Sequence, residues 1–192
     1  CLDAHKLNGN TRPFIISVPS WIDQKFVIRD FGPGLSPDGI FNLLCTYFAS
    51  TKDQSNDFIG ALGLGAKSPF SYTDSFIVKS VYEGVEYTFN AMMLNSEPNI
   101  SLVREKPSNE HTGLEITVPV KSHDINKWED EINYILYSFP KDSFMIKYNA
   151  LNILQLEHDQ LEESFFIDKD REGPFSSGIW AVYGNIIYPL RD

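Results

Sequence analysis

The chain has 192 residues, 42% of them hydrophobic and 14% aromatic, which is enough to bury the core of one domain. Its formal net charge of −10 argues against broad nucleic-acid binding, because such binding needs lysine and arginine to displace the counterions of phosphates. The two cysteines have no metal-binding spacing, no apolar run reaches the roughly 20 residues of a membrane span, and no secretory signal pattern is present, so we expect a cytosolic protein.

The first third of the chain predicts short strands separated by glycine-rich and proline-rich turns. Ser36 is the expected N-cap of a short helix, because Pro37 follows it at the first helical position. The predicted elements are a helix tail at Cys1–Leu7, strands at Phe14–Val18 and Lys25–Asp30 around a turn at Trp21–Asp23, a helix at Pro37–Phe48, a polar loop at Ala49–Phe58, and a short helix from Ala66.

The remainder predicts a run of strands, one clear amphipathic helix and then further strands. Apolar residues at helical spacing mark the helix at Asn126–Tyr137, and an acidic segment over 157–178 is expected to be a long loop. This order predicts an α+β fold, a two-layer sandwich with a mixed, mostly antiparallel sheet and helices on one face. The predicted strands are Ser75–Tyr82, Glu86–Leu94, Ile100–Arg104, Leu114–Val120, Phe144–Tyr148, Asn152–Leu156 and Ile179–Tyr188.

Asp30-Phe31-Gly32-Pro33-Gly34 is a DxGxG motif at the end of a predicted strand. A carboxylate there can accept a hydrogen bond from an exocyclic amine such as that of adenine, and the glycines let the backbone approach a flat ring. A plain Asp-Gly turn is the alternative. The kinase Asp-Phe-Gly element is excluded, because the residues before Asp30 are too few for the other kinase motifs.

A second motif, GxxGxG, covers Gly60–Gly65 and leads into Ala66-Lys67-Ser68. Its amides are suited to hold phosphate at a helix N-terminus, although a tight structural turn is the alternative. Ala66 breaks the Walker A pattern, and the glycine order differs from the Rossmann fingerprint. A third motif is Thr112-Gly113-Leu114-Glu115-Ile116, in which the Thr112 hydroxyl can share a water with a buried carboxylate. An ordinary strand start is the alternative.

The order of these motifs after Asp3-Ala4 resembles the Bergerat-fold ATPases of the gyrase B, MutL and histidine kinase (GHKL) superfamily. More closely, the chain resembles the phage rapid-lysis rIIA proteins over nearly its whole length. The segments that carry this resemblance are Asp3–Asn10, Arg29–Gly34, Ser55–Gly60, Gly63–Thr73 and Ala181–Pro189.

The resemblance implies ATP as ligand, with Asp30 on the adenine amine and glycines on the phosphates. Lys52 is a further candidate to neutralise the phosphate charge, but we interpret it as a solvated surface lysine. The implied nucleotide-binding residues are Asp30, Gly32, Gly34, Gly60, Gly63, Gly65, Lys67, Ser68 and Thr112. The resemblance also divides the chain into an ATP-binding domain over 1–140 and a β-rich extension over 141–192 that leads towards a second domain.

The family's first motif reads ExxxNxxDA, of which only Asp3-Ala4 is present. Its Glu is the general base and its Asn helps to hold magnesium, and both positions fall before Cys1. We therefore assign no catalytic or metal residue and expect a fragment or a truncated relative that hydrolyses ATP poorly. The resemblance also implies a role in lysis control or counter-exclusion in the infected bacterial host, with peripheral association with the inner membrane. The partners it implies are a homodimer, a second phage protein or a host factor.

The sequence leaves two other classes of function open. The first is a non-catalytic interaction protein that keeps the fold and has lost the nucleotide, favoured by the absent Glu and Asn positions and the acidic charge. The second is a cysteine or serine hydrolase, which has little support because the sequence holds no GxSxG motif. The polar surroundings of the four histidines, His5, His111, His123 and His158, predict that all four lie at the surface.

Overall fold

The computed structural model describes residues 1–45, 65–147, 158–162, 165–168, 179–183 and 185–190. It confirms the predicted α+β class: helices lie on a seven-stranded sheet with the strand order β5-β4-β3-β6-β2-β1-β7, in which β1 and β7 are parallel and all other neighbours are antiparallel. The strands are β1 Phe14–Ser17, β2 Lys25–Arg29, β3 Ser75–Tyr82, β4 Val85–Leu94, β5 Glu97–Pro107, β6 Gly113–Pro119 and β7 Phe144–Lys147.

The three described α-helices end or begin close to their predicted positions. The amide of Gly39 donates to Ser36 Oγ at 3.1 Å, which confirms Ser36 as the N-cap of the second helix. The predicted continuation of that helix to Phe48 lies outside the described residues. The α-helices are α1 Leu2–Leu7, α2 Pro37–Cys45 and α3 Ile125–Leu136, and the 3₁₀ helices are Gly65–Ser71, Ser122–Asp124 and Lys141–Ser143.

Two hydrophobic clusters hold the helices against one face of the sheet. In the first, Ile40 and Leu44 of α2 pack on Phe76 and Val78 of β3, all at most 2% exposed. In the second, the apolar stripe of α3 packs on β1. The second cluster consists of Phe14, Ile16, Val18, Ile132 and Leu136. The apolar residues that recur at helical spacing in α3 therefore pack against the alternating apolar residues of β1.

Two tight hairpin turns, at opposite ends of β4, join β3 to β4 and β4 to β5. Glu83 and Gly84 both have positive φ, as do Asn95 and Ser96, so each pair forms a two-residue loop whose twist matches the strands it joins. These turns fix the register of β3, β4 and β5, and that register sends Phe76, Val78 and Phe89 into the core.

The sequence predictions for the last part of the chain were wrong at two places. The predicted loop over 157–178 contains an antiparallel pair, β8 His158–Glu162 and β9 Phe165–Asp168. The single strand expected over Ile179–Tyr188 is instead a hairpin of β10 Ile179–Tyr183 and β11 Ile186–Leu190. The hairpin reverses because Asn185 adopts φ 64°, a left-handed turn conformation that asparagine tolerates. The predicted strand at Asn152–Leu156 lies outside the described residues.

The sheet brings three chain segments together at one end, where β2 and β3 finish and β6 begins. Asp30 follows β2, Val81 lies near the end of β3, and Gly113 opens β6. We call this end the Asp30 end. Within the described ranges, no helix has the length and apolar character needed to cross a membrane.

Candidate functional site

Asp30 lies at the end of β2 with 8% of its surface exposed, and its carboxylate is held in place by backbone amides. The amides of Gly32 and Leu114 both donate to Asp30 Oδ1, each at 3.0 Å. The Asp30 amide in turn donates to the Leu114 carbonyl at 2.9 Å. Both of these hydrogen bonds go to the same carboxylate oxygen, so Oδ1 fixes the loop to β6.

Three glycines let the backbone close tightly around this carboxylate. A Cβ on Gly34 would lie 2.1 Å from the Val81 carbonyl oxygen, and one on Gly113 would lie 2.1 Å from the Asp30 carbonyl oxygen. Both glycines have φ in the region that other residues rarely adopt, +73° and +146°. On the other side, a Cβ on Gly32 would lie 2.6 Å from Ala4 Cβ. The loop over Asp30–Gly34, which we call the Asp30–Gly34 loop, is therefore packed between β3, β6 and α1.

Ser80 fastens the far end of this loop to β3. Its hydroxyl accepts from the Leu35 amide at 2.8 Å and donates to the Leu35 carbonyl at 2.7 Å. Ser80 is fully buried, so both bonds form away from water. Ser80 belongs to none of the sequence motifs, because a contact between residues 45 positions apart leaves no local pattern.

Phe31, the second residue of the motif, packs against two cationic side chains. The guanidinium carbons of Arg12 and Arg29 lie 5.7 and 5.5 Å from the centre of its ring. Such contacts between a cation and an aromatic face are attractive. The Phe31 side chain thus ties the loop to the segment after α1 and to the last residue of β2.

A network of charges surrounds Arg29, which is 8% exposed. Its guanidinium lies 3.2 Å from a Glu110 oxygen and 3.6 Å from a Glu115 oxygen, and it donates to the His111 carbonyl at 3.0 Å. Lys79 approaches the same two carboxylates, each at 3.5 Å. Arg29 and Lys79 both lie opposite Glu115 in the sheet, so the strand register itself brings these charges together.

His5 departs from the sequence prediction that the histidines lie at the surface. His111 and His123 are exposed, as expected, but His5 is 4% exposed and its Nε2 accepts a hydrogen bond from the Phe31 amide at 2.6 Å. Burial lowers the pKa of His5, and the nearby Asp30 charge opposes this only in part. The polar residues beside His5 led to the wrong prediction, because helix α1 points the His5 side chain into the interior. The side chain of His158 lies outside the described residues.

The structure brings together part of the predicted site. Asp30, Gly32 and Gly34 share one loop, and Thr112 precedes the Gly113 that contacts the Asp30 backbone. Gly113 itself was missed, although it stands beside Thr112 in the third motif. Gly60 and Gly63, like Lys52, lie outside the described residues. Gly65, Lys67 and Ser68 lie on the 3₁₀ helix Gly65–Ser71.

Lys67 lies near the end of α2. The 3₁₀ helix that carries Lys67 contacts α2, whose last residue is Cys45. Burial raises the pKa of the Cys45 thiol, and the Lys67 charge opposes that shift in part. Helix α2 has nine residues and begins three positions after the Asp30–Gly34 loop, so it spans roughly 13 Å at 1.5 Å per residue. Ser68 Oγ donates to the Gly65 carbonyl at 2.8 Å and so supports the start of the 3₁₀ helix.

A cavity of about 420 Å³ lies away from Asp30, where β6 ends and β3 begins. Its Tyr72 hydroxyl donates to Asp124 at 2.8 Å and accepts from the Lys121 amide at 3.0 Å. These polar groups therefore satisfy one another. The cavity is lined by residues 70–74 and 119–121.

Among the described residues, no group of three or more histidine, cysteine, aspartate or glutamate side chains is arranged to hold a metal ion. No family model matches the chain, and no curated protein sequence is significantly similar to it.

Proposed function

We propose that this chain is an ATP-binding domain of the GHKL type, from an rIIA-like phage protein, in which Asp30 recognises the adenine amine. The observation that carries the proposal is the geometry of the Asp30 carboxylate. It is buried, and two backbone amides hold Oδ1 at 3.0 Å, so Oδ2 is the oxygen that would accept from the adenine amine.

This geometry suits an acceptor that must meet a flat base. An amine hydrogen bond to an ionised carboxylate is stronger than one between neutral groups, and burial strengthens it further. Because the amides of Gly32 and Leu114 already fix the carboxylate, little conformational freedom is lost when a ligand binds. Gly34 and Gly113 carry no Cβ, which lets the backbone of β3 and β6 pack directly against the loop that carries the carboxylate.

The phosphates would lie towards Gly65, Lys67 and Ser68, at the other end of α2. Lys67 supplies a positive charge there, and the backbone amides at the start of the 3₁₀ helix supply donors. Gly60 and Gly63 belong to the same proposal by their place in the sequence motif. We derive no hydrolytic step for this chain. Lysis control, counter-exclusion and association with the host inner membrane enter the proposal through the family resemblance alone.

Thermal unfolding with a non-hydrolysable ATP analogue tests the proposal. A ligand at 100 times its Kd stabilises the folded state by about 2.7 kcal/mol, which raises the Tm of a domain of this size by roughly 5–10 °C. In Asp30→Asn the amide oxygen can still accept from Gly32 and Leu114, while the amide nitrogen replaces Oδ2 with a donor. We expect this variant to fold and to lose the shift.

Asp38→Asn is the matched control, because Asp38 is an exposed aspartate in the first turn of α2. It removes the same charge without touching the site, and its shift should equal that of wild type. The absence of any shift in wild type, or an equal shift in Asp30→Asn, would show that Asp30 does not recognise the nucleotide.

A non-catalytic interaction protein is the second candidate. It is favoured by the structural use of Asp30 Oδ1, which alone explains a buried aspartate in this loop, and by the net charge of −10. In that case partner binding is the same with and without ATP, and Asp30→Asn leaves it unchanged.

A further inference from the structure

His5 holds the Asp30–Gly34 loop from the side of α1. Its Nε2 accepts from the Phe31 amide at 2.6 Å, and its ring also forms a hydrogen bond with the Arg12 backbone. Because Nε2 accepts, the proton of the neutral ring lies on Nδ1. The imidazole thus connects α1 and the following segment to the peptide that joins Asp30 and Phe31.

The Phe31 carbonyl is held from the same side. Asn10 Nδ2 donates to it at 2.8 Å and Asn8 Nδ2 at 3.4 Å. His5, Asn8 and Asn10 therefore bind both polar groups of the Phe31 backbone. Since the loop peptide before Phe31 belongs to Asp30, these contacts set the direction in which the carboxylate leaves the backbone.

The bond from the Phe31 amide depends on the protonation state of His5. A protonated imidazole donates from both nitrogens, so Nε2–H and the Phe31 N–H would face each other as two donors. A buried donor without an acceptor is destabilising, and the loop would have to move. Burial of the ring opposes protonation, and the nearby Asp30 carboxylate favours it. Arg12 and Arg29 lie over the neighbouring Phe31 ring.

We propose that His5 is a positioning residue for the nucleotide site, which holds the Asp30–Gly34 loop in its binding conformation only while the imidazole is neutral. The inference rests on the proposed function. It makes nucleotide binding sensitive to acid through a residue that does not contact the ligand.

Three variants separate this role from a general loss of folding. In His5→Gln, the amide oxygen can accept from the Phe31 amide at every pH, so we expect binding that no longer weakens in acid. In His5→Leu no acceptor remains, so binding should be weak throughout. His111→Gln is the matched control, because His111 is exposed and also contacts the Phe31 ring, at 6.4 Å between ring centres.

The measurement is the Tm shift produced by the non-hydrolysable ATP analogue at pH 8.0 and pH 5.0. We expect the shift of wild type and of His111→Gln to fall at least twofold in acid relative to that of His5→Gln. Protonation of the nucleotide phosphate affects all variants alike, so the comparison with His5→Gln isolates the histidine. A second readout needs no nucleotide: the amide resonance of Phe31 should titrate with pH in wild type and not in His5→Gln.

The outcomes separate the two proposals. No stabilisation of wild type at pH 8.0 would overturn the proposed function and the role of His5 in nucleotide binding together. Stabilisation of wild type at pH 8.0 with the same pH dependence as His5→Gln would overturn the role of His5 alone. A Phe31 amide that is insensitive to pH and to His5→Leu would also overturn it, whatever the nucleotide does.

Discussion

Replacing Gly34 with alanine tests the packing of the Asp30–Gly34 loop against β3. At φ +73° an alanine costs about 1–2 kcal/mol, because its Cβ crowds its own backbone. The same Cβ would lie 2.1 Å from the Val81 carbonyl oxygen and 3.0 Å from the carbonyl carbon, so backbone must move. Overpacking of this kind typically costs a further 1–3 kcal/mol. We therefore expect Gly34→Ala to lower the free energy of unfolding by about 2–5 kcal/mol.

Gly84→Ala is the matched control. Gly84 has nearly the same φ, +76°, but no atom lies within 4 Å of the position its Cβ would take. It should lose only the conformational part, about 1–2 kcal/mol. Urea denaturation of wild type and both variants measures the difference, which isolates the contact with Val81. Equal losses in the two variants would refute the close approach of the loop to β3.

Three further predictions concern the surroundings of the site. Arg29→Met should lower the free energy of unfolding by about 2 kcal/mol, because it leaves a carboxylate network without its most buried cation. Urea denaturation should show a smaller loss for Lys79→Met. An equal loss in the two variants would contradict the reasoning. Ser80→Ala should cost about 1–3 kcal/mol by the same assay, because both loop backbone groups that it binds lose their partner, whereas Ser101→Ala on exposed β5 should have little effect. Because the folded pKa of His5 lies below its ordinary 6.5, the unfolded chain takes up this proton first as the pH falls, so the contribution of His5 to stability is complete above about pH 6.5 and is lost in acid. The urea midpoint of wild type should therefore fall more between pH 7.5 and 5.5 than that of His5→Gln; parallel decreases would contradict this.

The sequence predicted the fold class because the relevant signals are local. The alternation in β3 and the helical spacing in α3 each identify an element and its buried face. Ser36 was recognisable as an N-cap from its neighbour Pro37 alone. The hairpin of β10 and β11 was missed although the sequence carries a signal for it, because Gly184-Asn185 separates two apolar runs by the two residues that a tight hairpin turn needs.

The candidate site was predictable only where one motif contains it. The Asp30–Gly34 loop is continuous in sequence, so its residues could be assigned together. His5 and Ser80 reach the loop from other elements, 26 and 45 positions away along the chain from their partners. Such contacts depend on how α1 and β3 pack, and no local pattern encodes that packing. The sequence motif therefore contains Asp30 but not the side chains that hold its loop in place.

Isothermal titration of ATP and GTP into wild type and Asp30→Asn tests the recognition of adenine most directly. The 6-position of adenine carries an amine, a donor to the carboxylate, whereas that of guanine carries a carbonyl oxygen, which the carboxylate repels. A hydrogen bond to a charged group contributes about 1.5–3 kcal/mol, so wild type should bind ATP at least tenfold more tightly than GTP, and Asp30→Asn should lose this preference. Equal affinities for the two nucleotides in wild type, or an unchanged preference in Asp30→Asn, would contradict the assignment of Asp30 as the residue that reads the base.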